Sequence, residues 1–350
     1  MLLPEYVGPK ASFDHQENRR DQAMSHTQLT CSLLAAAALL AACGPTEQSL
    51  VPPAKLAALS TTPVEPAAPS GLDTATESAR VALGKQLYHD KRLSGDGTIS
   101  CATCHSLDTF GVDNKPTSTG IGGQLGARNA PTSLNAYLQI AQFWDGREPT
   151  VEAQALGPIM NPIEHGVAKE DDAVATLGDD PTMTAAFAAA FPKSDKPLTF
   201  TNIGAAIGAF ERTLTTHSRF DDFLAGDHSA LTAAEQQGLV DFVDTGCTMC
   251  HTSTMVGGQM YQKLGLVKPY PTDDLGRFEA TGVETDKHFF KVPTLLNIEK
   301  TGPYMHDGSI TSLDEMVRIM AEYQLGQKLD DAKVTSIATF LRSLTGQLPN

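Results

Sequence analysis

Apolar residues recur along much of this chain at spacings of three and four, the period of a helix with one buried face. In "TFTNIGAAIGAFERTL" the residues Ile203, Ile207, Phe210 and Leu214 fall on one side, and Val334, Ile337, Leu341 and Leu344 do the same in the last helical stretch. "ESARVALGKQLYHD" predicts another helix just before residue 100. Thr232 and Glu235 form a capping-box start ahead of "QQGLVDFV", each side chain placed to accept from the other residue's free N–H. No sustained alternation of apolar and polar residues marks a strand series, so the pattern predicts a mainly α fold.

Two stretches depart from the helical period. "LLAAAALLAAC", residues 33 to 43, is an apolar run of signal-peptide length, too short to remain as a bilayer-spanning helix. It ends in Leu40-Ala41-Ala42-Cys43, the form of a bacterial lipoprotein processing site. Cys43 would then be the lipidated residue, and Gly44 in place of an aspartate favours the outer membrane. An ordinary cleaved signal with a chance cysteine is the alternative. Lys10, Arg19 and Arg20 stand well upstream of the run, and translation from Met24 would leave only His26 before it. Both readings export the chain to the periplasm. From residue 44 to 74 the sequence is rich in Pro, Ala, Ser and Thr ("VPPAKL", "TTPVEPAAPSG") and predicts a flexible tether.

Length and charge narrow the function. The 350 residues, 41% apolar with one tryptophan, suffice for two domains of modest size. Net charge is −15, or −14 without residues 1 to 43, which hold three basic and four acidic residues. Nucleic acid is thereby disfavoured as a partner, and a basic redox protein suits the charge. The sequence leaves the oligomeric state open, a homodimer included.

Six cysteines occur, and four lie in "SCATCH" (Cys101, Cys104, His105) and "GCTMCH" (Cys247, Cys250, His251), leaving no disulfide framework. C-x-x-C-H attaches c-type haem: two thiols add across the porphyrin vinyl groups and the histidine ligates the iron. Zinc or a redox dithiol would also explain one C-x-x-C, but two copies each followed by histidine favour two covalently attached haems. A helix, a haem motif, an irregular region and a closing helix occur twice. That order predicts two tandem cytochrome c-like haem domains, residues 75–225 and 226–350.

"LYHDKRLSGDGTISCATCH", "NAPTSLNAYLQIAQFWDGR", "AQALGPIMNPIEHG", "FKVPTLLNIEKTGPYMHDGS" and "LRSLTG" together resemble the bacterial di-haem cytochrome c peroxidases, the family that also contains the MauG-type enzymes. The resemblance runs from about residue 78 to 346. It implies reduction of hydrogen peroxide by a small periplasmic donor, a cytochrome c or a cupredoxin. It places peroxide chemistry at the His105 haem, with Glu164 as acid/base and Gln154 orienting peroxide. His165 is expected to be peripheral. The His251 haem would accept donor electrons with Met320, fourteen residues beyond His306, as its second axial ligand; Met316 and Met305 are the other candidates. Trp144 would lie in the electron path. Calcium would be held by the Asn129 side chain and the carbonyls of Thr301 and Pro303. A MauG-like oxidase of a protein substrate is the alternative; it would use a tyrosine ligand, for which Tyr323 is nearest. A passive electron carrier is the third reading. One departure stands out: the loop histidine that closes the peroxidatic iron in many relatives falls at Ile121, and no histidine occurs between His105 and His165.

Overall fold

The computed structural model describes residues 48–68 and 70–349. The apolar run ending at Cys43 lies outside the described residues. Helices dominate, and the strands are two short antiparallel pairs: His217–Ser218 with Gly346–Gln347, and Tyr261–Lys263 with Phe289–Lys291. Among the described residues no helix is long and apolar enough to cross a membrane.

Two helix pairs organise the molecule. Thr74–Tyr88 packs on Phe200–Glu211, and Ala233–Thr245 packs on Asp331–Arg342. Each begins at a side-chain cap. Asp73 accepts from the Thr76 N–H at 3.0 Å, Thr199 from Asn202 at 3.1 Å and Asp330 from Lys333 at 2.8 Å. The expected capping box is present, with the Thr232 N–H donating to Glu235 Oε2 at 2.8 Å and the Glu235 N–H to Thr232 Oγ1 at 3.3 Å. The periodic apolar residues are all buried, although the helices stop at Glu211 and Arg342, so that Leu214 and Leu344 reach their cores from beyond the last turn.

Both pairs cross at a glycine. A Cβ on Gly84 would stand 1.9 Å from the Ala206 carbonyl oxygen, and one on Gly238 would stand 2.1 Å from that of Ser336. Four residues later each helix presents an aromatic ring to the partner's phenylalanine: Tyr88 to Phe210 and Phe242 to Phe340, both at 5.4 Å between centroids. The same contact is thus made twice, once in each of two separate apolar cores.

A second repeat lies in the irregular regions. "PTSLN" and "PTLLN" each end in an asparagine at positive φ, 58° at Asn135 and 61° at Asn297. Thr132 and Thr294 donate equivalent hydroxyl bonds to the carbonyls of Phe110 (2.6 Å) and Met255 (2.7 Å). The two asparagines converge on one residue: their amides donate to Thr216 Oγ1 at 2.8 and 3.0 Å.

Part of the segment expected as a flexible tether, residues 51–64, packs against the protein. Pro53–Leu59 forms a helix, and Val51, Leu59 and Val64 are buried in the core built from the C-terminal half. Its Pro and Ala content concealed three well-placed aliphatic residues, whose burial outweighs the cost of ordering the chain.

The crossings give the first prediction. Gly84→Ala and Gly238→Ala should each destabilise the protein by roughly 3 kcal/mol, the upper end of typical overpacking, because the new methyl meets backbone rather than a yielding side chain. Denaturant unfolding checks this; a loss near zero would mean the helices can separate freely.

Candidate active site

Each C-x-x-C-H motif forms a tight turn that turns its thiols and imidazole toward one cavity. The Cys101–Cys104 turn is capped by Ser100, and the His105 N–H donates to the Cys101 carbonyl at 2.9 Å. His251 N–H repeats that bond to Cys247 at 3.0 Å. The Nδ1 atoms face carbonyls, Gly111 for His105 and Val256 for His251, both at 3.2 Å. A carbonyl can only accept, so Nδ1 carries the proton and each Nε2 keeps its lone pair for an iron. Burial lowers both imidazole pKa values, His251 to about 4, keeping them neutral as ligation requires.

The thiols fit haem better than the alternatives. All four are free, and burial pushes Cys101 and Cys247 up to about 12. Such thiols are not the depressed-pKa nucleophiles of a redox dithiol. Among the described residues no three His, Cys, Asp or Glu side chains are grouped to hold a metal ion.

The two cavities differ in character. The one at His105, about 480 Å³, brings together Gln154, Glu164, Arg147, His165 and Glu211. Glu164 Oε1 accepts from Asn161 Nδ2 at 2.8 Å. Burial raises the Glu164 pKa, opposed by the Arg147 charge and the Asn161 bond. The Gln154 amide, at the end of a one-turn helix, makes no hydrogen bond among the described residues and borders the cavity. His165, expected to be peripheral, is buried at the edge of the same cavity. It is 4% exposed, and its Nδ1 donates to the Leu93 carbonyl at 2.7 Å, which leaves Nε2 without a proton. Arg147 went unassigned in the sequence although it closes the "FWDGR" motif, and Glu211 read only as part of a helix. Glu211 is 6% exposed, its Oε2 has no hydrogen-bond partner, and burial together with repulsion from Glu152 raises its pKa to about 8.

The cavity at His251, about 230 Å³, has a largely aliphatic and aromatic wall into which Met305, Met316 and Met320 all reach. Met316 also packs on the neighbouring apolar core, and Met305 is buried at φ 75°. Tyr323 stays outside the lining: it meets Tyr270 edge to face at 5.1 Å, with the Lys268 ammonium 4.6 Å from its ring centre.

A shared wall separates the cavities. Trp144, Gln139, Lys291 and Asn129 line both. The Trp144 indole N–H donates to the Asn129 carbonyl at 2.9 Å. Asn129 uses its amide nitrogen on the Lys115 carbonyl. Its Oδ1 and the carbonyls of Thr301 and Pro303 accept no hydrogen bond among the described residues, and all three residues border the His251 cavity. Three unclaimed oxygens are a donor set suited to a hard cation.

These observations define a mainly helical protein with two haem-attachment cavities, one polar and one apolar. A family model described as di-haem cytochrome c peroxidase matches residues 78–229. The chain is 44% identical over 274 residues to cytochrome c551 peroxidase of Pseudomonas aeruginosa, covering 76% of this chain and 79% of that one. It is 43% identical over 288 residues to cytochrome c peroxidase Ccp of Escherichia coli K12, covering 81% of this chain and 61% of the relative. A solved MauG-like protein associated with microbial copper homeostasis is similar in structure, with TM-score 0.71 and 30% identity over 81% of this chain and 93% of that one. The chain belongs to the di-haem cytochrome c peroxidase family and is an enzyme of that family.

Glu211 sets a pH dependence. The folded carboxyl keeps its proton to about pH 8, whereas an unfolded one loses it near 4.5, so the unfolded state is favoured progressively as pH rises through that window. Stability should fall between pH 5 and 8 by about 1 kcal/mol per pH unit, and Glu211→Gln should flatten that slope. Denaturant titrations of both proteins at the two pH values provide the test; equal slopes would remove Glu211 as the source.

Proposed function

We propose that this chain reduces hydrogen peroxide to two waters, using two electrons from a small periplasmic donor protein and two protons. Bound haem would supply the redox chemistry, with peroxide taken up at the His105 centre and donor electrons stored at the His251 centre. The observation that carries the reading is the convergence of Glu164, Gln154 and Arg147 in the His105 cavity, while thioethers face His251. Glu164 has one oxygen held by Asn161 and the other free, and its raised pKa lets it take a proton from one peroxide oxygen and return it to the other, so that water leaves. Gln154 orients the peroxide, and the Arg147 charge favours the developing negative oxygen. Met320 would hold the second haem together with His251, a choice supported by Met316 also packing on the apolar core. Trp144, in the wall of both cavities, is the electron path.

The remaining assignments follow the same reading. The two haem domains are residues 75–225 and 226–350; two apolar cores fit this division, although Phe220 and Phe223 pack with the later one. Calcium would be held by Asn129 Oδ1 and the Thr301 and Pro303 carbonyls, none of which accepts a hydrogen bond among the described residues. Periplasmic location and a lipid anchor at Cys43 rest on the sequence. For a MauG-like oxidase the expected tyrosine, Tyr323, stays outside the His251 cavity, and Tyr304, which borders it, donates its hydroxyl to the Ile298 carbonyl at 3.1 Å. A passive electron carrier would leave Glu164 and Gln154 without a task.

The loop at Ile121 supports an open site at rest. The Ile121 N–H donates to the Glu164 carbonyl at 2.8 Å, and Gln124 Nε2 donates to the carbonyls of Ile121 (3.3 Å) and Pro162 (3.2 Å). The Ile121 side chain rests against Gly95 and Gly166 outside the cavity lining. A Cβ on Gly120 would stand 2.0 Å from the Ile163 carbonyl, so glycine permits this docking. The loop is therefore fastened to the turn that carries Glu164 and offers no ligand.

Two outcomes test this function. Glu164→Gln should retain both haems and lose roughly 10² to 10⁴ in peroxidase turnover; near-normal turnover would transfer the acid/base role to His165. The fully oxidised parent should show a high-spin haem in its EPR spectrum and react with peroxide at once on stopped-flow mixing. Two low-spin haems, with a lag abolished by pre-reduction, would mean that a protein ligand closes the site, and His165 Nε2 would be the first to examine.

A further inference from the structure

Lys291 is a buried cation without an anion. It ends the Phe289–Lys291 strand, where it pairs with Tyr261, and its N–H donates to the Trp144 carbonyl at 2.8 Å. The side chain is 6% exposed and borders both cavities. Its ammonium has one hydrogen-bond partner, the neutral amide oxygen of Gln139, and no carboxylate within ion-pairing reach among the described residues. This is not for want of acids in a chain with 41 Asp and Glu against 26 Lys and Arg. Three buried N–H donors sharing one acceptor leave a charge that is costly to bury unless something else neutralises it. Burial alone lowers the Lys291 pKa to about 8, which still leaves most of it charged at neutral pH. A short or neutral side chain would avoid the cost, so the charge requires a counterpart supplied by whatever fills the cavities.

The di-haem reading provides one, and the inference rests on that reading. A porphyrin fixed through its vinyl groups to a cysteine pair turns its two carboxylate side chains away from the attachment edge. We propose that Lys291 is the counter-charge for a haem carboxylate at the wall between the cavities, a positioning residue that holds the haem edge beside Trp144 and keeps its potential high. Through its backbone bond to Trp144 and its side-chain bond to Gln139, the strand fixes that charge relative to the indole. A fixed positive charge beside a haem favours the reduced iron, because reduction adds a negative charge that the ammonium attracts across a low-dielectric wall.

The experiment is a spectroelectrochemical titration of the holoproteins, parent, Lys291→Met, Lys291→Gln and Lys291→Arg, alongside haem content per chain. In the Met and Gln variants, at least one haem should shift to lower potential by tenfold or more in its reduction equilibrium, which is 59 mV for one electron. The Arg variant should stay close to the parent, since it keeps the charge. Should Lys291→Met fail to fold, Lys291→Gln carries the test, because it keeps a donor for Gln139 and loses only the charge. Two haems per chain with potentials unchanged in the neutral variants would overturn the proposal while leaving the di-haem reading intact. A parent with fewer than two haems would instead overturn the reading beneath it.

Discussion

One hydroxyl holds the two repeats in register. Thr216 Oγ1 accepts from both Asn135 and Asn297, and the Thr216 N–H donates to Asn135 Oδ1 at 2.9 Å, all of it buried. Asn297 Oδ1 in turn accepts from the Gly346 N–H at 2.9 Å, next to the short strand pair of His217–Ser218 and Gly346–Gln347. Each asparagine lies just after the Thr132 or Thr294 turn that fastens the loop carrying its haem histidine's carbonyl partner. A shift at Thr216 would therefore be felt at both imidazoles. Buried amide networks are exacting in this way, because every unmatched donor costs the full price of desolvation.

The two cavities divide the chemistry by the polarity of their walls. Around His105 stand side chains that can carry or receive protons, Glu164, His165 and Glu211, beside the fixed charge of Arg147. Around His251 they are chiefly apolar and thioether, an environment in which an electron can rest without recruiting a proton. On the proposed reading, proton handling on one side and electron storage on the other would give the separation that a two-electron, two-proton reduction requires.

Much of this was legible in the sequence, for identifiable reasons. The C-x-x-C-H motifs, the periodic apolar faces and the Thr232–Glu235 cap depend on residues close together in the chain, and local spacing records them directly. Gln154 and Glu164 could be placed in one cavity only through family resemblance, since neither residue type is distinctive. The role of Pro53–Leu59 was hidden because composition reports average polarity, while burial depends on which three side chains meet a distant core. Glu211 and Lys291 look like ordinary charged residues at element ends, and only the packing of remote segments around them shows that water and counter-ions have been removed. The burial of His165 was hidden for the same reason: the carbonyl that orients it belongs to Leu93.

The cores do not respect the order of the chain. Val51, Leu59 and Val64 from the beginning pack into the core of the later half, while Leu348 from the end packs against that of the earlier half. The halves are thus mutually laced, each closed by a strip of the other's sequence. Neither can be excised by a single cut near residue 225 without uncovering apolar surface on the remaining piece, and during synthesis the first half waits for the last residues of the chain before its surface is complete. What reads along the sequence as two beads on a string is, as a folded object, a clasp that fastens only when both ends have arrived.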